Sequence, residues 1–190
     1  MDRTLLDLLR TVTPEEQAIL DGDRRVKKEL YTEKNGFTVE ADKMLLEGRL
    51  IEVRTHTRFI DFPDHRHNYV EMLYMCAGET RHQINQRQQL NLRAGEILLF
   101  NQHCSHSIEA AGEGDIGVNF IILPAFFHTA FDMMEGENLL SDFILDALMQ
   151  NNARPEYLHF KAASLLPVQN LMENLIWNLK NPTPGGDRLN

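Results

Sequence analysis

The sequence predicts a mainly β fold flanked by helices, and three observations carry that prediction. Between about residues 44 and 123, short runs rich in β-branched and aromatic residues recur at near-regular spacing, the pattern of a sandwich or barrel. Residues 1–43, before this stretch, carry helical periodicity and a helix-start signature. From Pro124 onward, helical patterns return.

The elements follow in order. Leu5, Leu6, Leu8 and Leu9 line one face of a short first helix. Thr13 is placed as the N-cap of a second helix, with Pro14 at its first position and Glu16 completing a capping box. "KNGF" at 34–37 marks a turn. "RLIEVRTHTRFIDF" and "YVEMLYMCAGET" read as strands, the second closed by Gly78. "RHQINQRQQLNLRAGEILLFNQ" reads as strand, turn, short strand, glycine turn, strand, and "IGVNFIILP" as a strand stopped by Pro124. "AFFHTAFDMM" and "ENLLSDFILDALMQNN" are candidate helices, and "PEYLHF" is a candidate short strand returning to the barrel. Val168, Leu171, Leu175 and Leu179 form one stripe of a last helix, with Met172, Ile176 and Trp177 beside it. That stripe either packs on its own barrel or pairs with its twin in a dimer. The predicted organisation is thus a helical segment over 1–43, a barrel over 44–123, helices over 124–181 and a Pro- and Gly-rich linker over 182–190.

Composition excludes several classes. A chain of 190 residues with 43% hydrophobic residues can bury a sizeable core. A net charge of -9 argues against gripping nucleic acid unaided, since phosphate binding needs a clustered positive surface. No apolar run reaches the ~20 residues of a membrane helix. Cys76 and Cys104 form neither a disulfide framework nor a zinc signature, which fits a reducing cytoplasm.

The chemistry concentrates in "HRHNYVE", residues 65–71. Residues two apart diverge on a helix and share a face on a strand. His65 and His67 therefore converge only if this piece is extended, and Glu71 joins them if the chain stays extended or returns after a tight turn. A distant segment, "NQHCSHSIE", adds His103 and His106. Imidazoles with one carboxylate suit zinc, iron, manganese or nickel. A lone histidine on a strand more often makes an ordinary hydrogen bond; four candidates in two short segments are harder to dismiss.

His65, His67, Glu71 and Gly78 resemble the first cupin motif in spacing, and Gly95 and His106 resemble the second. Phe59 stands where the first motif usually opens with glycine. Asn101, His103 and Ala110 replace the second motif's proline, glycine and asparagine. The order of "HRHNYVEMLYMCAGE", "LNLRAGEILLFNQHCSHSI", a strand and then helices is similar to the N-terminal sensor domain of AraC-type bacterial transcription regulators, over roughly residues 45–180.

That resemblance implies a cupin, jelly-roll β-barrel with a C-terminal helical dimerisation hairpin. It implies a sensor that binds a small-molecule effector, forms a homodimer and controls DNA only through a C-terminal helix-turn-helix domain outside this chain. His65, His67, Glu71 and His106 fill the usual ligand positions for one divalent transition metal (zinc, nickel, manganese or iron), with occupancy left open. Leu73 and Met75 share the face of Glu71 as pocket candidates, with His103, Arg58 and Arg81 as polar or anion-holding candidates. Val168, Leu171, Met172, Leu175, Ile176 and Leu179 are the dimerisation candidates. The alternative is a metal-dependent cupin enzyme, of the dioxygenase or sugar-phosphate isomerase type, and a third reading is a dimerising barrel without ligand. No residue is assigned a catalytic role.

Overall fold

The second helix shows most directly how local sequence becomes structure here. Thr13 Oγ1 accepts from the Glu16 amide at 3.2 Å, and a Glu16 carboxylate oxygen accepts from the Thr13 amide at 2.9 Å. This reciprocal box starts α2 (Pro14–Leu20) as the sequence predicts. Before it, α1 (Arg3–Leu9) is capped by Asp2 and buries Leu5 and Leu9, one helical turn apart, while Leu8 faces out. A computed structural model describes residues 1–127, 140–144 and 156–181. The linker 182–190, most of "AFFHTAFDMM" and most of "ENLLSDFILDALMQNN" lie outside the described residues.

After a 3-10 turn at Lys28–Leu30, the chain forms β1 (Thr38–Val39) and the short helix α3 (Ala41–Met44). Then come β2 (Ile51–Thr55), β3 (Phe62–His67), β4 (Val70–Ala77), β5 (Glu79–Ile84), β6 (Gln88–Arg93), β7 (Ile97–Phe100), β8 (His106–Ile108) and β9 (Ile116–Ile122). β10 (Tyr157–Phe160) and α4 (Leu166–Lys180) follow. One sheet has the order β1-β3-β8-β5-β6 and the other β10-β7-β4-β9-β2. Among the described residues every pairing is antiparallel except β1 with β3. The result is the cupin-like sandwich with flanking helices that the sequence predicts. The sheets recruit chain from outside 44–123, because β1 pairs with β3 and β10 with β7.

Three apolar clusters hold the layers together. Leu73, Met75, Leu98 and Phe100 of one sheet meet Ile84, Leu90 and Leu92 of the other between the sheets. The outer face of the second sheet (Val53, Val70, Tyr74, Val118, Phe120) is covered by Leu5 and Leu9 of α1 and by Met172, Ile176 and Leu179 of α4. β4 and β9 are therefore apolar on both faces, which is why their sequences run continuously rather than alternate. The third cluster, with Tyr31, Val39, Met44, Phe62, Tyr69 and Ile121, joins the N-terminal segment to the mouth of the sandwich.

Both motif glycines are structural necessities. Gly78 has φ +70, and a Cβ there would lie 2.8 Å from the Asp115 Cα. Gly95 has φ +82, and a Cβ there would lie 2.8 Å from the Ala163 Cα. The three-residue β5–β6 turn between the paired Ile84 and Gln88 places Asn85 and Gln86 both at positive φ, with the Arg87 amide donating to the Ile84 carbonyl at 3.0 Å.

Candidate functional site

β3 presents the histidines by strand alternation. His65 and His67 are buried while Asp64 and Arg66 face out. A register irregularity between Phe62 and His65 re-aims this end of the strand, and His65 then stands directly opposite His106 of β8. The three buried imidazoles offer ligand atoms all within 4.8 Å of one another. Their ring centroids are 4.3 Å (His65–His106), 4.8 Å (His65–His67) and 5.2 Å (His67–His106) apart.

Glu71 arrives from the other sheet. The chain turns at Asn68, whose Oδ1 accepts from the Ala41 amide at 2.7 Å, and β4 begins across the interior. Glu71 Oε2 lies 3.6 Å from His67 Nε2 and 3.5 Å from His106 Nε2. Its Oε1 accepts from the Asn119 amide at 2.9 Å.

Burial sets the protonation states. It pulls His65 down to about 4 and holds His67 and His106 well below the usual imidazole range. It pushes Glu71 up to about 8, against the lowering effect of the Asn119 amide. With protein groups alone, neutral imidazoles thus face a protonated acid. His65 Nδ1 lies 2.8 Å from the Pro63 carbonyl, so Nδ1 carries the proton and Nε2 keeps its lone pair. His67 Nδ1 and both ring nitrogens of His106 are buried with no hydrogen-bond partner among the described residues. Unpaired buried nitrogens cost about 1–3 kcal/mol each, so the cluster is poised to take a ligand. Three imidazole nitrogens and one carboxylate fit a divalent transition ion.

His65, His67 and Glu71 of this cluster line a cavity of about 560 Å³. Its walls include Phe62, Tyr69, Ile108, Ile121, His56 and Asn119, with Thr13, Pro14, Leu30 and Tyr31 from the N-terminal segment. Lys43, Arg54 and Lys180 add positive charge.

The other sequence candidates fall elsewhere. Leu73 and Met75 point inward but pack into the intersheet core against neighbours such as Phe100, so they are not among the cavity walls. Arg58 is a correction: it is buried, and its guanidinium binds Glu16 twice, at 2.7 and 3.0 Å, and the carbonyls of Glu113 and Arg10 at 3.2 and 3.1 Å. Four of its five guanidinium N–H donors are engaged in this way, and Arg58 is not among the cavity walls. Arg81 is also a correction, lying on the outward face of β5 beside Glu79 and Glu109 at 3.3 and 3.6 Å. His103 sits in the β7–β8 loop with its amide on Asn101 Oδ1 at 3.0 Å, away from the cavity walls. That bond lets Asn101 hold the turn where the family motif uses proline and glycine.

On α4, Met172, Ile176 and Leu179 are buried against the chain's own sheet, and Val168 and Leu175 pack partly on the same cluster. These five are spent on the core, because the stripe is the width one sheet face covers. Leu171, 64% exposed, points the other way with Leu166 and Trp177.

Four lining or neighbouring groups escaped sequence reasoning: His56, Tyr69, Asn119 and His82. His82 is buried, 2.9 Å from Thr80 Oγ1, and its ring stacks on His106 at 5.7 Å. Its alternation with Thr80 and Ile84 on β5 was the available signal.

Part of this chain is similar to known proteins. The family profile described as "AraC-like ligand binding domain" matches residues 49–131. An apo variant of ToxT from Vibrio cholerae is similar over 66% of this chain and 46% of its own, at 13% identity and a TM-score of 0.49. ToxT bound to an unsaturated fatty acid is similar over 67% of this chain and 45% of its own, at 12% identity and 0.47. Oxalate decarboxylase from Bacillus subtilis shares 33% of this chain and 18% of its own, at 24% identity and 0.28. The chain thus spans less than half the length of the ToxT chains. No curated protein matches it.

Proposed function

We propose, from the premise that residues 49–131 are an AraC-like ligand binding domain, that this chain is the sensor of a bacterial, cytoplasmic transcription regulator. A small-molecule effector enters the cavity over the histidine cluster, and a DNA-binding domain outside the chain reads its presence. The observation that carries this reading is the make-up of the cavity wall. One cavity of about 560 Å³, within the usual range for small-molecule sites, is bounded at once by His65 and His67, the N-terminal segment and Lys180 at the end of α4. Filling it therefore acts on both ends of the chain. An effector that favours one arrangement of these walls shifts the population of states that α4 passes through residues 182–190. No helix among the described residues is long and apolar enough to cross a membrane.

His65, His67, His106 and Glu71 would hold a divalent ion, which when bound supplies coordination positions for an effector oxygen or nitrogen. The chain's own groups position it: Pro63 sets the His65 tautomer, and Asn119 orients the Glu71 carboxylate. Self-association through α4 would use Leu166, Leu171 and Trp177, the apolar residues its own sheet leaves uncovered. An enzyme is the weaker reading, because the acid that lines the cavity outside the ligand set, Glu15, is held by the Tyr31 hydroxyl at 2.7 and 2.8 Å.

Thermal-shift screening of small organic acids, sugars and amines tests the sensor reading. A stabilising compound should lose its effect when Ile121→Phe fills the cavity. A compound indifferent to that substitution, or none that stabilises, would count against the cavity as the sensing site.

A further inference from the structure

The charges around the cavity are arranged unevenly. β2 places Arg54 directly opposite Asn119 of β9, the residue that holds Glu71, so Arg54 shares the cavity face of the sheet. Lys180, the last residue of α4, lines the same cavity from the helix side. Neither makes an ion pair among the described residues. Among the described residues Arg54 donates only to the Met44 sulfur, at 2.8 Å, a weak acceptor. The nearby acids are engaged: Glu52 with Arg49 at 3.1 Å, and Glu15 with the Tyr31 hydroxyl at 2.7 and 2.8 Å. Lys43, the third cation, is held by Glu33.

Two uncommitted cations on one cavity are unexpected in a chain with 28 acidic and 19 basic residues. Bringing them together costs like-charge repulsion and desolvation, and burial together with the charge of Arg54 pulls Lys180 below the usual lysine range, Glu52 opposing. An anion placed between them offsets the repulsion by pairing with both charges. Behind them the walls turn aromatic, with Tyr31 and Phe62 edge to face at 5.1 Å and Tyr69 beyond.

We propose that the effector is an anionic amphiphile, with a carboxylate or similar oxyanion held between Arg54 and Lys180 and an apolar body against Tyr31, Phe62 and Tyr69. This rests on the cavity being the effector site. The bound anion ties the last turn of α4 to β2, so occupancy is read at the C-terminal end of the helix.

Two fluorescent probes of similar shape test this on the full chain: anilinonaphthalene sulfonate, which is anionic, and phenylnaphthylamine, which is neutral. The sulfonate should bind roughly tenfold tighter, and Arg54→Gln and Lys180→Gln should each weaken it by about tenfold while sparing the neutral probe. Ile121→Phe should weaken both. Equal binding of both probes, sensitive to Ile121→Phe but not to the charge variants, would overturn the anion site and leave the cavity reading intact. Loss with Arg54→Gln alone would overturn the bridge to α4. No binding of either probe would overturn the cavity reading and this inference together.

Discussion

Arg58 and Glu16 form a buried ion pair that ties α2 to the loop after β2, with Nε 2.7 Å from Oε1 and Nη2 3.0 Å from Oε2. Removing one partner strands the other charge, at a cost of about 3–5 kcal/mol. Glu16→Gln and Arg58→Met should each show that loss in urea unfolding, and the double variant should lose less than their sum. Burial alone would raise the Glu16 pKa, but the hydrogen bonds from Arg58 and Thr13 outweigh it and hold it below 4.5. A folded pKa below the unfolded one gives stability that is present above about pH 4.5 and lost as pH falls through the folded value. Single variants within 1 kcal/mol of the parent would show the pair to be incidental.

Acid should act earlier through the histidines. Burial lowers His56 from 6.5 to about 4 and His82 to about 3. The unfolded chain binds protons there first, so stability falls as pH drops below about 6.5 and keeps falling to the folded pKa. For His56 the full loss is on the order of 3 kcal/mol. Urea midpoints measured across this range should decline steadily, and His56→Gln should reduce the slope by about one proton. A parent whose stability is flat across this range would contradict the buried neutral assignment.

Elemental analysis addresses the histidine cluster. The expected result is one divalent ion per chain after incubation with zinc, nickel or manganese, absent in His65→Ala and in His106→Ala. Glu71→Gln should keep the ion more weakly, because the fourth donor becomes neutral. At ion concentrations about a thousandfold above Kd, binding should stabilise the parent by about 4 kcal/mol. A parent that retains no ion under these conditions would remove metal from the mechanism and leave the cavity as a purely organic site.

The legible part of this molecule is what depends on near neighbours. Strand parity required His65 and His67 to share a face, and β3 provides it. The capping box at Thr13 was readable, but the second role of Glu16 depends on Arg58, 42 residues away. That distance also explains Arg58 itself, which looks from sequence like any basic residue near a pocket. His56, just after β2, was invisible because a single histidine carries no spacing, and His82 showed only its alternation with Thr80 and Ile84 on β5. The apolar stripe of α4 was readable, but a stripe does not name its partner, and here the partner is the chain's own sheet. β1, only two residues long, exists because β3 is there to pair with it.

Phe59 occupies the position where the related motif opens with glycine, and its φ is +70. A bulky residue pays about 1–2 kcal/mol for that conformation. Its ring returns part of it by lying 5.0 Å from the Arg58 guanidinium. Phe59→Ala loses the ring and keeps the strain, whereas Phe59→Gly loses both. The glycine variant should therefore be more stable than the alanine variant by about 1 kcal/mol, as thermal unfolding would show. Alanine equal to or better than glycine would mean that the loop relaxes out of the left-handed region.

The two faces of α4 should respond oppositely to substitution. Ile176 is 0% exposed in the cluster beneath α1 and α4, so Ile176→Ala should cost about 2–5 kcal/mol of folding stability. Leu171 is 64% exposed, and Leu171→Ser should change folding by no more than about 0.5 kcal/mol. If α4 mediates self-association, sedimentation equilibrium should show Leu171→Ser weakening the dimer while its monomer unfolds as the parent does. A dimer indifferent to Leu171 and Trp177 substitutions would move the interface to another surface. A Leu171 variant as unstable as Ile176→Ala would mean that the helix packs with its other face inward.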